Sequence, residues 1–197
     1  MSRFSMERFE YLWLKLQAIV LLVLGRNAAA LAVFDRMVAR WSDDVYALAS
    51  RAHLQTQANR LTEALADSSR LVVLRADHAA TWFNHGFMLE AAERLDEARA
   101  AFERATELGP KLDRAWYGLG MVLIRLHRYD EAVTALKRNT DLQPMSPYGW
   151  YQLARVHVDR HQPDEAVKII RHLKGFEPKV AAQLERETGL LAGTVAP

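Results

Sequence analysis

The sequence predicts an all-α solenoid of five antiparallel helix pairs closed by a C-terminal capping helix, and three observations carry that expectation. Side chains recur every 34 residues: Trp82, Trp116 and Trp150; Gly86, Gly120 and Ala154; Ala98, Ala132 and Ala166; Phe102, Leu136 and Ile170; Pro110, Pro144 and Pro178. The 197 residues hold only 9 Gly and 6 Pro and are rich in Leu, Ala, Arg and Glu, which favours helix. Half of the residues are hydrophobic, enough for a continuous core.

Each column has a physical reason. The small residue of the first helix (Gly86, Gly120, Ala154) and that of the second (Ala98, Ala132, Ala166) let the two helices approach closely. Bulky residues such as Trp82 with Phe102 fill the space around the contact. Pro110, Pro144 and Pro178 stand where a helix must stop, since proline lacks the amide donor. Asp96, Asp130 and Asp164 open each second helix, where they are expected to cap free amides and meet the positive end of the dipole.

These columns resemble the tetratricopeptide repeat, whose signature holds a Trp, a Leu-Gly pair, an Ala, an aromatic and a closing Pro. Two weaker units extend the register backwards. Leu48, Ala52, Ala64 and Ala76 stand in the columns of the second, and Leu14, Ala18, Ala30 and Phe34 in those of the first. The expected units are 11–44, 45–78, 79–112, 113–146 and 147–180. Residues 1–10 are expected as an N-terminal cap segment, and 181–197 as capping helix and tail. Lys179 to Leu191 reads as amphipathic, with Val180, Leu184 and Leu191 apolar.

The resemblance implies a right-handed superhelix whose first helices line a concave groove. Carried over place by place, it assigns partner binding to Tyr46 and His53 of the second unit and to Phe83, Asn84 and Phe87 of the third. It adds Arg114, Tyr117, Met121 and Arg125 of the fourth, and Tyr148, Tyr151 and Arg155 of the fifth. Large aromatics and arginines are the side chains that binding hot spots use. The arginines are expected to pair with carboxylates of a peptide or helix. Some members of the family hold a C-terminal carboxylate with a clamp of Lys, Asn and Arg. Lys15 fits one clamp place, but Ile19 stands where Asn is needed, so a chaperone-tail adaptor is not expected.

The first helix of unit one is apolar nearly all round, and such a helix is normally covered on every side. Leu12, Leu16, Ile19, Leu22 and Val23 form a candidate interface there. Its cover is a folded-back segment 1–10 carrying Phe4, Met6 and Phe9, another copy of the chain, a partner protein or a bilayer surface. Tyr11 to Leu24 is shorter than the ~20 apolar residues of a spanning helix. Glu7 and Glu10 also argue against a secretory leader.

Chemistry is sparse. The chain has no cysteine, which excludes disulfides, thiolate metal sites and a Cys nucleophile. His157 and His161 have helical metal-ligand spacing but no evident third ligand. No GxSxG, phosphate loop, dinucleotide fingerprint or HExxH occurs. A charge of +2, from 26 basic and 24 acidic side chains, is too balanced to imply a phosphate-binding surface. The expectation is a cofactor-free, non-enzymatic protein-interaction scaffold or assembly factor of the bacterial cytoplasm. The alternative is a structural subunit that docks or self-associates through its apolar first unit, with a membrane surface as a further possible contact.

Overall fold

A computed structural model describes residues 3–193. Eleven helices follow one another: α1 Arg3–Val23, α2 Asn27–Arg40, α3 Val45–Gln57, α4 Leu61–Leu74, α5 Ala79–Ala91, α6 Leu95–Leu108, α7 Asp113–Arg125, α8 Tyr129–Leu142, α9 Pro147–Asp159, α10 Pro163–Lys174 and α11 Pro178–Thr188. The described residues contain no strand. Each odd helix packs on the even helix after it, and each even helix packs on the next odd one. The first helices α5, α7 and α9 also touch in succession, so they run side by side along one face of the stack. Five helix pairs and a closing helix thus follow one another along the chain.

The turn inside each pair repeats in detail. Gly25, Asn59, Glu93, His127 and His161, again 34 residues apart, all adopt positive φ of 56–68°. This left-handed residue reverses the chain between the helices, and only in the first unit is it glycine. The next residue is the N-cap of the second helix: Arg26, Arg60, Arg94, Arg128 and Gln162.

Asp96, Asp130 and Asp164 therefore do not cap. They lie one residue inside the first turn, and no side chain caps α6, α8 or α10. What repeats instead is an ion pair from the N-cap arginine to the Glu three residues on: Arg60–Glu63 at 3.0 Å, Arg94–Glu97 at 2.6 Å and Arg128–Glu131 at 2.6 Å. The carboxylates still face the positive helix end.

The tryptophans do more than fill space. The indole N–H of Trp82, Trp116 and Trp150 donates to the carbonyl of Ala76, Pro110 and Pro144, at 2.9, 3.0 and 2.9 Å. Each indole is thereby strapped to the chain that enters its unit. In units one and two Leu14 and Leu48 take this place and are buried outright. Glycines admit the large side chains of the second helices. A Cβ on Gly118 would lie 2.7 Å from the Phe102 ring, and one on Gly120 the same distance from Leu136.

Both ends depart from expectation. Residues 3–10 are not a separate cap: they are the opening turns of α1, since no glycine or proline interrupts the helix before Tyr11. Glu7 and Glu10 tie this extension to Arg40 of α2 at 2.9 and 4.0 Å. At the other end Pro178 does not close a helix but opens α11 at its first position, where its missing N–H costs nothing. That helix stops at Thr188 with Gly189 left-handed at its C-cap. Leu184 is buried and Val180 half-buried against α9 and α10, whereas Leu191 lies beyond the helix and is 82% exposed.

The core is in two clusters. One joins the first unit and much of the second, around Leu14, Phe34, Met37 and Leu48. The other runs from Ala52 and Leu65 to Leu184 and Ala192. The Phe34, Phe102, Leu136 and Ile170 column is broken between them, where unit two carries Ser68.

Candidate functional site

The face built by the first helices carries a row of hollows, separated by aromatic side chains. The largest, of about 650 Å³, lies between α5, α7 and α9 and is walled by Phe83, Phe87, Tyr117, Met121 and Tyr148. Its floor includes Phe102 and Gly118, whose missing Cβ lets the Phe102 ring pack directly against the helix backbone. Asn139 of α8 and Gln143, just beyond that helix, close its far side, and Asn139 donates a side-chain N–H to the Asp113 carbonyl at 2.9 Å. Phe87 is 53% and Tyr148 71% exposed, so both present apolar area to whatever enters.

A second hollow, of about 220 Å³, lies between α3, α4 and α5, with His53, Thr56, Ser68, Thr81 and Asn84 among its walls. It exists because Ser68 stands where other units place Phe, Leu or Ile. The Ser68 hydroxyl meets His85 Nδ1 at 2.8 Å and the Leu65 carbonyl at 3.1 Å. Burial, with Arg94 nearby, pushes the His85 imidazole pKa down from its usual range. Phe87 walls both this hollow and the large one. A third, of about 290 Å³, lies between α9 and α11, where Tyr148, Tyr151 and Gln152 face Val180 and Gln183.

Charge in the groove is uneven. Arg114 stacks over the Phe83 ring at 5.1 Å and makes no ion pair among the described residues. Arg125 is instead taken by Glu93 and Glu90. Arg155 is taken by Glu187 at 3.0 Å, and Tyr151 donates its hydroxyl to the same carboxylate at 2.5 Å. Glu90 lines the large hollow, where burial raises its carboxyl pKa and Arg125 only partly offsets the rise.

Of the residues picked from sequence, Phe83, Phe87, Arg114, Tyr117, Met121 and Tyr148 meet at the large hollow, and His53 and Asn84 at the smaller one. Tyr151 borders the third hollow and locks to the closing helix together with Arg155. Tyr46 lies apart, edge-on to Phe34 at 5.8 Å with the Lys15 ammonium 4.6 Å from its ring. Sequence reasoning missed the contributions of Phe102, Asn139 and Gln143. Periodicity assigns such residues to packing and does not reveal that they also border the hollow. His157 is buried and bonded to Gln162 at 2.9 Å, while His161 sits in the left-handed turn, so they do not converge.

At the first unit, Leu12, Leu16, Ile19 and Val23 are exposed, joined by Met6, Phe9, Trp13 and Val20. Leu22 is half-buried against the first core cluster. No helix among the described residues is long and apolar enough to cross a membrane.

Stacked helix pairs with one aromatic, pocketed face define a helical-repeat solenoid. The chain matches the tetratricopeptide repeat over residues 15–81, 89–147 and 117–175 and belongs to that family. Solved structures agree. MamA (residues 41 to the end) from Desulfovibrio magneticus RS-1 superposes with a TM-score of 0.77 at 18% identity, covering 90% of this chain and 96% of that one. YrrB, described as a TPR protein with an unusual peptide-binding site, gives 0.74 at 18% identity, covering 86% and 88%. TTC0263, a thermophilic TPR protein of Thermus thermophilus, gives 0.64 at 22% identity, covering 89% and 96%. At these identities the likeness shows the fold. No curated protein matches the chain significantly.

Proposed function

We propose that this protein is an interaction scaffold whose groove holds a segment of another protein, seating a large apolar side chain in the hollow between α5, α7 and α9. The observation that carries this is the convergence of Phe83, Phe87, Tyr117, Met121 and Tyr148 on one open hollow of about 650 Å³. Rigid aromatics supply contact area at small entropic cost, and a fold of stacked pairs keeps them in place before the ligand arrives. Arg114, stacked on Phe83 and without an ion-pair partner among the described residues, is poised to take a carboxylate from the ligand and fix its direction. Solved YrrB, a structural neighbour with a peptide-binding site, supports the same use of the fold.

Selection from a displayed random-peptide library tests the proposal. The wild type is expected to enrich sequences with a large apolar anchor near an acidic residue. The triple variant Phe87→Ala, Tyr117→Ala, Tyr148→Ala is expected to lose those peptides while keeping its helical circular dichroism. Undiminished binding by a folded triple variant would remove the groove from the account.

A second attachment surface has its own observation. α1 leaves a row of large apolar side chains bare at the end of the stack. We read this end as a docking surface separate from the groove.

A further inference from the structure

We infer that α1 is a self-association surface, through which two copies of this chain join end to end by pairing their α1 helices about a two-fold axis. The inference rests on the reading of the first unit as a docking end and names its occupant.

The argument starts from the spacing of the bare residues. Phe9, Leu16 and Val23 are seven apart, and so are Leu12 and Ile19, with Trp13 and Val20 beside them. At 100° per residue these side chains occupy about 120° of the helix surface, on the side away from Leu14 and Ala18, which are buried against the rest of the unit. Phe9 is 66%, Trp13 58% and Val23 81% exposed. A 3.5-residue repeat is what a helix presents to another helix, each knob entering a hole between four residues of the partner.

Area supports the same partner. The exposed fractions correspond to roughly 800 Å² of side-chain surface per copy, and covering most of it from both sides removes roughly 1,300 Å², within the range of stable specific interfaces. A two-fold arrangement needs only one such surface, since the same patch serves both copies. It also covers the bare face of α1 in each copy with the first unit of the other. A bilayer is the poorer fit. Helices that lie on membranes carry a rim of Lys and Arg, whereas the rim here holds Arg8 and Lys15 on one side and Glu10 and Gln17 on the other.

The test is sedimentation equilibrium of the full chain over a range of concentrations. The wild type is expected to be a dimer. The double variant Leu16→Glu, Val20→Glu is expected to be a monomer with unchanged helical circular dichroism, since both side chains are exposed. The groove variant Phe87→Ala, Tyr148→Ala is expected to stay dimeric. A cross-link supplies a readout that does not depend on the double variant folding. The chain has no cysteine, and Leu16 is midway between Phe9 and Val23, so it meets its own copy whichever way the helices run. Leu16→Cys is therefore expected to give a disulfide-linked dimer under mild oxidation. A monomeric wild type, a double variant that stays dimeric, or an absent cross-link would overturn the inference. So would loss of the dimer in the groove variant, because α1 would then sit in the neighbour's groove. A monomeric wild type that cosediments with phosphatidylcholine–phosphatidylglycerol vesicles would transfer the surface to a membrane. Peptide selection by the monomeric double variant is expected to be unaffected, which keeps a failure here distinct from a failure of the groove reading.

Discussion

Gln55 occupies a place that Leu89 and Leu123 fill in the next two units, and it is buried with its side-chain oxygen unpartnered. A buried acceptor without a donor gives up its water bonds for nothing. Gln55→Leu restores the column and is expected to raise stability by about 1 kcal/mol in urea titrations, the lower end of what such an acceptor costs. No gain, or a loss, would mean that the amide has a partner in solution. The same unit shows what one residue does to the surface. Ser68 in a bulky column leaves the hollow beside His53 and Asn84, and that consequence was open to reading: the column was visible, and only the exception to it went unused. The arginines at 26, 60, 94 and 128 were equally visible as a 34-residue repeat, but their role was not, since an arginine at an N-cap has no side-chain acceptor to offer the helix.

At the level of elements, the last three units were legible because they keep Trp, Gly or Ala, and a large residue in register, each tied to one contact. Helix α1 was less so. Its apolar character was plain, but which arc would be covered depends on where α2 and α3 pack, and that is not written in α1 alone. The clearest structural dependence is that of α11. Leu184 is fully buried against α9 and α10, and Lys174 holds Glu185 at 2.8 Å. Leu184→Ala is expected to cost about 3 kcal/mol, within the range for buried leucines, and to lower the thermal midpoint without changing the helix content of the native state. A cost near zero would show that the stack does not need its closing helix.

Over the whole molecule, the two core clusters divide a continuous-looking rod. A solenoid is stabilised by its units and by the joints between neighbours, so its parts need not open together. The cluster around unit one and part of unit two is smaller and has α1 bare at its edge, whereas the other reaches from Ala52 of unit two through the last three units to the closing helix. Amide hydrogen exchange is expected to show α1–α3 exchanging faster than α7–α9, and dimer formation to narrow the gap. Uniform protection along the chain would mean that the polar second unit transmits cooperativity as well as an apolar one.

The indole straps have a consequence for how such a chain tolerates change. Their acceptor is a main-chain carbonyl, which every residue type supplies, and it is donated to equally by Trp82 over Ala76 and by Trp116 and Trp150 over prolines. The residue that accepts the strap is thus free to change identity while the fastening persists.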